Sequence, residues 1–592
     1  MKAGGALGLG AAAASWWRVG PDILAQEGGS PTGGEYHGWW PYTPPPVGHF
    51  NSFVADGITM GIYLGLAELA LAHYKWEGSE FSPLLATAWE NTSETTFTVT
   101  LREDVTWSDG ATFSANDVVT TFTILRAQSS PVFDYVGGVS APDATHVEFT
   151  LKDPSTVVPY FVLRQSIRSH AVYGEWAAKF GEVFAQFDGQ ATPAAAGEDP
   201  QAAALAPVLE EFNAFKPEAM VVTGPYNFDP STITSSQLTM NKVATSAWAN
   251  TANFDKLILF NQSDAASIPA LILSKNCDYS TSGFPPATEQ AMAQAGLRIV
   301  RPPIYTGPSL YINYDKVKGL TDPKARQALA KAIDRSTNGK VSLGDSGVPP
   351  QYMAGVSDTL LVEWVSPETL TQLNAYDLNP DEASAVFQEL GYTRDGDTWT
   401  SPDGERMEYE LLVVAEWADW AAAATNLADQ LTAFGIKTVV RTTTQQQYAN
   451  DLPAGNYQLA IGNWGQGQPH PVFSYRANLF TNNTDAEGGG FHFPLVQQTE
   501  SVGEVDFGVL IEQSASGTDV EAQNETIQTI ALAFNELLPI IPLWERLAND
   551  PILVDVRVSG FPEDGDPLYK NSVYNDNFTI QWILDGTLKG VV

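Results

Sequence analysis

Apolar and polar residues alternate along several short segments of this 592-residue chain. In the stretch 97–101 every second residue is apolar and the residues between are threonines, and the stretch 147–151 repeats the alternation. A period of two predicts strands that bury one face. Beyond the first of these strands, Ser114 and Asp117 have the spacing of a capping box, which predicts the start of an apolar helix.

Helical spacing is clearest in the second half of the chain. The stretch 322–334 begins with Asp-Pro, which favours a helix with proline in its first turn. In 379–391 apolar residues recur at i, i+3, i+4 and i+7 between an Asn-Pro start and a glycine stop. A third helix is predicted from about Trp417 to Phe434 and leads into a strand-like stretch, 436–440. Strands and helices therefore alternate, which predicts α/β lobes.

Composition narrows the classes of function. The chain has 31 Lys and Arg against 69 Asp and Glu, a formal charge of −38, and 44 % of its residues are hydrophobic. Such a chain can bury a large core, and a surface this acidic repels nucleic acid. The acidity by itself also suits simple solubility or a salty or acidic habitat. The single cysteine, Cys277, excludes a disulfide framework within the chain.

The N-terminus predicts export. Residues 1–25 hold one lysine followed by a short Gly, Ala and Leu-rich stretch, which has the form of a signal peptide cleaved after Ala25. The segment resembles the part of a twin-arginine signal that follows its arginine pair. No cysteine lies near the cleavage site, so we expect no lipid anchor, and no later stretch reaches the length of a membrane span. We expect an exported protein in the periplasm or at the outer face of the cell membrane.

Catalytic motifs are missing from the sequence. It contains no H-E-x-x-H, no G-x-S-x-G and no Walker loop. The seven histidines are scattered, whereas a metal ion needs three or four donors in a spaced set. The many acids form chance pairs, and the carboxyl separation that a glycosidase needs cannot be read from sequence. We therefore expect no enzyme, no cofactor and no metal site.

Several of the 16 tryptophans stand beside polar or loop-forming residues rather than inside apolar runs. Trp39 and Trp40 adjoin a Pro-rich loop, Trp417 and Trp420 flank an Ala-Asp pair, and Trp464 follows an asparagine. A flat ring can cover the C–H face of a sugar while neighbouring amides and carboxylates bind its hydroxyls. Any one of these rings could fill a core instead, but as a set they indicate a ligand cleft.

A series of motifs in a fixed order points to a known family. The segments LATAWE (85–90), FTVTLREDVTWSDG (97–110) and FSANDVV (113–119) follow one another closely. Further segments come after them, namely TGPY at 223–226, RQAL at 326–329, AIDR at 332–335, LGY at 390–392 and LPIIPLW at 538–544. This series closely resembles family 5 extracellular solute-binding proteins, the oligopeptide, dipeptide, nickel and oligosaccharide receptors of ABC importers.

The resemblance implies a two-lobed α/β receptor of the periplasmic-binding-protein type II fold, with an extra domain (cluster C type) and a hinge between the lobes. It covers about residues 35–592. The expected hinges lie near 301–303 and 549–551. After the signal peptide, the expected organisation is 26–76, 220–303 and 550–592 for lobe I, 77–219 for the extra domain, and 304–549 for lobe II.

The resemblance also bears on the ligand. Peptide-binding members often carry G-W-x-x-D in lobe II, where the aspartate pairs with the peptide's amino terminus. Here the corresponding stretch 462–469 reads GNWGQGQP, without a carboxylate. A buried ammonium without a counter-charge is costly, so amides in this place favour a neutral, hydroxyl-rich ligand. The chain looks most like the branch that binds β-linked oligosaccharides such as cello- and manno-oligosaccharides.

The expected function is therefore an exported, monomeric receptor that binds a neutral oligosaccharide and delivers it to ABC permease subunits. Asp419 could equally cap the helix that starts beside it, and Trp544 could equally pack near the hinge. One alternative is a peptide receptor of the same fold, with Glu416 or Asp419 as the counter-charge. A more remote one is a secreted glycoside hydrolase. The expected ligand-binding residues are Trp39, Trp40, Phe284, Trp417, Asp419, Trp420, Asn463, Trp464, Gln466 and Trp544.

Overall fold

The computed structural model describes residues 18–19, 33–187, 199–262, 267–481, 483 and 490–591. The predicted signal peptide lies outside the described residues apart from the short strand Arg18–Val19. Three larger sheets organise the chain, each from a different part of the sequence. Helices pack against these sheets, so the fold is the α/β arrangement that the alternating pattern predicted.

The first sheet, here the lobe I sheet, joins strands from distant parts of the chain. Its order places Glu35–Trp39 beside Lys256–Phe260, followed by Gln237–Lys242 and Tyr226–Phe228. The first pair is parallel and the other two pairs are antiparallel. Because Glu35–Trp39 pairs over its full length, the two tryptophans at its end are fixed against this sheet.

The second sheet, here the extra sheet, is antiparallel throughout. Its order is Ala86–Ser93, Thr96–Leu101, His146–Leu151 and Val136–Ser140. Thr96–Leu101 alternates strictly between buried and half-buried residues, which confirms the strand predicted there. Ser114 and Asp117 form the predicted capping box of the Ala115–Ala127 helix, and this helix packs on the extra sheet.

The third sheet, here the lobe II sheet, has five strands. Its order is Lys437–Thr443, Glu408–Val414, Leu459–Gly465, Thr306–Ile312 and Ile541–Pro542. The first three strands are parallel to one another. Leu411, Leu412, Val413 and Val414 are all buried, as expected for a parallel strand covered on both faces.

The predicted helices of the second half are confirmed with small shifts of their ends. Asp322 caps Pro323–Ala332, and Asn379 caps Pro380–Glu389. The helix predicted to begin near Trp417 is Ala418–Phe434. The remaining α-helices are Val158–Val162, His170–Phe187, Pro200–Asn213, Ser267–Leu273, Pro286–Gln294, Arg335–Leu343, Asp358–Trp364, Pro367–Leu370, Gln445–Asp451, Pro471–Arg476, Phe507–Gln513, Val520–Leu537 and Phe578–Leu584.

Small ribbons complete the fold. In one of them Arg18–Val19, Glu80–Pro83 and Ala72–Lys75 lie side by side. The others are two-stranded: Thr393–Asp395 with Thr398–Thr400, Val496–Thr499 with Gly503–Asp506, Val558–Ser559 with Lys589–Gly590, and Gly347–Val348 with Glu545–Arg546. Within the described residues no helix is both long enough and apolar enough to span a bilayer.

Two extended segments run side by side where the chain passes between the lobe I and lobe II sheets. Arg298–Val300 pairs antiparallel with Asp550–Ile552. Just beyond this pair, Ala548 N donates to Pro302 O over 2.8 Å, and Ile304 N donates to Arg546 O over 3.1 Å. Two adjacent backbone crossings of this kind let the lobes rotate while few residues change conformation. The domain boundaries expected from the sequence remain a prediction.

Candidate functional site

A cavity of about 870 Å³ lies between the two lobes, next to the paired crossing segments. One wall comes from residues 282–288, which lead into the Pro286–Gln294 helix on the lobe I side. The opposite wall comes from the end of the Arg335–Leu343 helix and from residues 416–422, all on the lobe II side. Arg546, beside the crossing, closes the cavity between these walls. The volume is typical of a small-molecule site.

Three aromatic residues line the cavity together with prolines and aliphatic side chains. Trp417 and Trp420 meet edge to face, with centroids 4.8 Å apart and planes at 86°. Trp417 is half-buried, so part of its indole remains open, while Trp420 is 7 % exposed. On the lobe I side Phe284 is held by Asn549, whose side chain bonds both its backbone N–H and its carbonyl. Phe284 is only 2 % exposed, so the open aromatic surface of the cavity is mainly that of Trp417.

The Ala418–Phe434 helix sets the position of Asp419. Its N-cap is Trp417, which offers no capping side chain, and Asp419 lies in the first turn. Asp419 therefore does not cap the helix, and its role in ligand binding remains a prediction. Its Oδ2 instead lies 3.2 Å from Nη1 of Arg546, and both side chains line the cavity. The helix N-terminus adds a favourable field for the carboxylate.

The remaining acid of the cavity wall is Glu416. It is exposed, and its Oε1 accepts a hydrogen bond from Gln445 N over 3.3 Å. In the described parts of the chain, no group of three or more His, Cys, Asp and Glu side chains could hold a metal ion. The charged groups that line this cavity are Glu416 and the ion pair of Asp419 with Arg546.

Four of the ten residues expected from the sequence meet at this cavity, namely Phe284, Trp417, Asp419 and Trp420. Trp39 lies one layer behind, 8 % exposed, in the cluster that includes Phe284. Its Nε1 donates to Ser280 Oγ over 2.8 Å, and its ring stacks on that of Trp40. These two tryptophans support the lobe I wall without lining it.

The other four expected residues lie elsewhere in this conformation. Trp464 and Trp544 have no exposed surface. Trp464 Nε1 donates to the Trp544 carbonyl over 3.2 Å, and Trp544 Nε1 donates to Asn338 Oδ1 over 3.0 Å. Asn463 and Gln466 are exposed on the lobe II side. A ligand role for these four remains a prediction.

The segment after Trp464 contacts the rest of the molecule directly. Gly467 O accepts a hydrogen bond from Asn575 Nδ2 over 2.8 Å. Gln468 Oε1 accepts one from Arg164 Nη1 over 2.6 Å, and the same arginine forms a bidentate pair with Asp576. These bonds join the lobe II strand end to segments on the far side of the cleft, so the conformation is closed here.

Among the cavity residues that sequence reasoning missed, Arg546 and Gly283 matter most for the charge of the wall. Arg546 is two residues beyond the conspicuous Trp544, but nothing in the local sequence indicates that it faces Asp419. Gly283 packs directly against it, since a Cβ at this glycine would lie 2.0 Å from Arg546 Nη2. The positions of Arg546 and Gly283 relative to each other depend on how the lobes meet. In the local sequence, only the glycine before Phe-Pro-Pro indicated that another group could pack closely against the backbone there.

Two buried acids, Asp550 and Glu545, lie in or next to the crossing segments. Burial raises the pKa of Asp550 to about 8, although Tyr279 Oη donates to its Oδ2 over 2.7 Å. Burial, together with the nearby Asp358, raises the pKa of Glu545 to about 7. Near neutral pH Asp550 is therefore mainly protonated and carries little charge.

Two α/β lobes with a cavity between them, next to the segments that connect them, are typical of ligand-binding receptors. The pattern of the bacterial extracellular solute-binding proteins, family 5, middle region, matches residues 80–486. The chain belongs to this family, which supplies the solute receptors of ABC importers and whose members are extracellular. None of the curated proteins matches the sequence.

Solved structures with the same fold carry different ligands. A periplasmic oligopeptide-binding protein of Thermotoga maritima, solved with mannohexaose, is 18 % identical with a TM-score of 0.69, over 94 % of this chain and 98 % of that one. AppA of Bacillus subtilis, solved with a nonapeptide, is 14 % identical with a TM-score of 0.64, over 95 % and 100 %. NikZ of Campylobacter jejuni, solved with Ni(L-His), is 16 % identical with a TM-score of 0.65, over 94 % and 99 %. At these identities the likeness shows the fold alone.

Proposed function

We propose that this receptor binds a neutral oligosaccharide of the cello- or manno-oligosaccharide type in the cavity between its lobes. In this proposal Trp417, Trp420 and Phe284 contact the C–H faces of sugar rings, and Asp419 and Arg546 bind hydroxyls. The protein then presents the sugar to its ABC permease without changing it. Ligand binding stabilises the closed form because the ligand contacts both lobes.

The observation that carries the proposal is the character of the cavity wall. Trp417 presents a partly open indole, Trp420 and Phe284 lie in the wall with little exposed surface, and Asp419 and Arg546 are paired with each other. A ligand with apolar faces and uncharged polar edges matches such a wall, since it needs no further counter-charge. The mannohexaose in the similar Thermotoga maritima structure is an example of this ligand chemistry on the same fold.

A peptide is the second candidate, and Glu416 is the observation that favours it. Its exposed carboxylate lies at the cavity and could pair with an amino terminus. The positive amino terminus of a peptide would depend on the carboxylate of Glu416, whereas a neutral sugar would not. Glu416→Gln should therefore weaken peptide binding strongly and leave the affinity for a neutral sugar almost unchanged.

Calorimetric titration of the purified protein tests the proposal. The panel contains cello-, manno- and xylo-oligosaccharides together with tri- to pentapeptides. We expect saturable binding of one sugar series, and recovery of the sugar intact, which also separates a receptor from a glycoside hydrolase. Binding of peptides alone would replace the sugar with the second candidate, and release of shorter sugars would overturn the receptor role.

Trp417→Ala is the first variant to measure. Removing the half-buried indole should weaken the bound sugar at least tenfold, about 1.4 kcal/mol, because the stacking surface is lost. The matched control is Trp176→Ala, which removes another half-buried tryptophan that packs on Phe212 and Phe215, remote from the cavity. Equal affinities of the two variants would exclude Trp417 from the site.

A further inference from the structure

Arg546 bridges the two walls of the cavity. On the lobe I side its guanidinium packs against Gly283, and on the lobe II side its Nη1 faces Asp419 Oδ2 at 3.2 Å. Its backbone is held in place, because Glu545–Arg546 pairs with Gly347–Val348 and Arg546 O accepts a hydrogen bond from Ile304 N. The guanidinium is therefore held where the lobes meet.

The ion pair between these side chains is incompletely hydrogen-bonded. Asp419 Oδ2 and Arg546 Nε are buried atoms without a hydrogen-bond partner. The side chains as a whole remain 13 % and 25 % exposed, and both line the cavity. Buried polar groups in proteins are normally satisfied, so this pair is unusual. The parts of the two side chains that remain exposed at the cavity are those that can meet a ligand's hydrogen-bonding groups.

Resting on the proposed function, we propose that Asp419 and Arg546 together determine the charge class of the ligand. Their charges cancel, so the pair accepts neutral, hydroxyl-bearing sugars and rejects acidic and basic ones. Neither residue alone would do so, because each isolated charge would favour a ligand of the opposite sign. Arg546 is therefore a specificity-determining residue, because it acts on the charge of the ligand, which the aromatic residues of the wall do not.

The physical reason is the cost of an unbalanced charge in a cavity between the two lobes. A carboxylate or ammonium on the ligand would lose its water and gain attraction from one half of the pair but repulsion from the other. Of the other acids nearby, Glu545 is buried next to Arg546 in the chain and its pKa is raised to about 7, so at pH 6 it is mostly uncharged. Asp550 is mainly protonated near neutral pH, and Glu416 is exposed, where water and salt screen it.

The test compares neutral and charged trisaccharides of matched size. Cellotriose and β-1,4-mannotriose are the neutral probes, the β-1,4-glucosamine trimer is the cationic probe, and the β-1,4-mannuronate trimer is the anionic probe. Titrations at about pH 6 keep the amines and the carboxylates of the charged probes ionised. The wild-type protein should bind a neutral trimer at least tenfold more tightly than either charged one.

Single substitutions should change this preference in opposite directions. Asp419→Asn leaves Arg546 uncompensated and should raise the affinity for the mannuronate trimer, relative to the neutral sugar, at least tenfold. Arg546→Gln leaves Asp419 uncompensated and should do the same for the glucosamine trimer. The double variant Asp419→Asn/Arg546→Gln removes both charges and should recover the preference for neutral sugars, which a purely structural role of the pair does not predict.

The outcomes separate the two proposals. Failure of the wild-type protein to bind any sugar overturns the proposed function and this inference with it. If the protein binds a neutral sugar but the ratio of its affinities for neutral and charged trimers is the same in all variants, the inference alone is overturned. A wild-type preference for a charged trimer has the same consequence.

Arg441→Gln is the control for the loss of an ion-paired arginine. Arg441 pairs with Glu410 and Asp451 outside the cavity, so its loss should leave the ratio of neutral to charged affinities unchanged. Melting temperatures establish that each variant is folded. If one of the single variants does not fold, the double variant is compared with the remaining single variant and the wild type.

Discussion

At the scale of single residues, Asp550 is the most unusual group of the crossing segments. It has no exposed surface, its Oδ2 accepts a hydrogen bond from Tyr279 Oη, and its Oδ1 has no hydrogen-bond partner. Tyr279 Oη in turn accepts one from Asn577 Nδ2 over 3.0 Å. Arg546 lowers the pKa of Asp550, but burial outweighs it and raises this pKa to about 8.

This raised pKa predicts that the protein loses stability as the pH rises from about 4 to about 8. An unfolded aspartate has a pKa near 3.9, so between about pH 4 and pH 8 the folded chain holds a proton that the unfolded chain lacks. The free energy of unfolding therefore falls as pH rises through this window. Asp550→Asn carries no charge at any pH, so its melting temperature relative to the wild type should rise by a few degrees between about pH 5 and pH 8.

Thermal unfolding at several pH values measures this effect. Asp403→Asn is the control, because Asp403 is exposed and its relative melting temperature should stay constant over the same range. Parallel curves for Asp550→Asn and the wild type would show that Asp550 keeps an ordinary pKa in the folded protein.

At the scale of elements, the Ala418–Phe434 helix links the cavity to the core of lobe II. Its first turn carries Asp419 and Trp420, and its last turn buries Phe434 beside Trp399. Gly435 ends the helix with φ of 109°, a left-handed conformation that favours glycine. A Cβ there would lie 2.8 Å from Trp399 Cδ1, so both backbone and packing require a glycine.

Gly435→Ala should therefore destabilise the protein by about 2–4 kcal/mol, the sum of a left-handed backbone penalty and overpacking. Gly404→Ala is the matched control, with φ of 83° but nothing within 4 Å of its Cβ, and it should cost only the backbone part, about 1–2 kcal/mol. Denaturant unfolding gives both values. Equal losses in the two variants would show that Trp399 moves aside at no cost.

At the scale of the whole molecule, a second contact closes the cleft on the side of the extra sheet. We call it the clasp, formed by residues 154–156 and 515–523. Gly517 N donates to Pro154 O over 2.7 Å, and Ser155 Oγ donates to Ala515 O over 2.6 Å. Thr156 Oγ1 donates to Gln523 Oε1 over 2.8 Å. We expect that these bonds break when the lobes open.

A disulfide across the clasp should hold the receptor closed. Ser155 and Ser516 form an isolated antiparallel bridge, and such pairs have Cα atoms close enough for a disulfide. In Ser155→Cys/Ser516→Cys, oxidation should slow ligand exchange at least tenfold, and reduction should restore it. Cys277 is buried and remote in sequence, so it offers little competition.

Stopped-flow exchange of a bound sugar measures the rate, and small-angle scattering reports the closed shape. Each single-cysteine variant under the same oxidation is the control and should exchange at the wild-type rate. Unchanged exchange in the oxidised double variant would show that the clasp stays formed while ligand enters and leaves.

Much of the fold follows from the sequence because its local signals agree. The alternation in 97–101 gives a strand of the extra sheet, the capping box at Ser114 begins a helix, and Gly435 ends another. These features depend on periodicity and on backbone preferences, which act between neighbours in the chain. The ordered motifs also sufficed to indicate the family, and with it the two-lobed fold.

The cavity was only partly predictable. Trp417, Asp419 and Trp420 are close in sequence and lie on one helix start, so their joint position could be read locally. The pairing of Asp419 with Arg546, the contact of Arg546 with Gly283, and the burial of Trp464 and Trp544 involve residues more than 75 positions apart. Only the tertiary structure decides these, because a charge or a ring has the same local sequence whether it faces a partner, the core or a cleft.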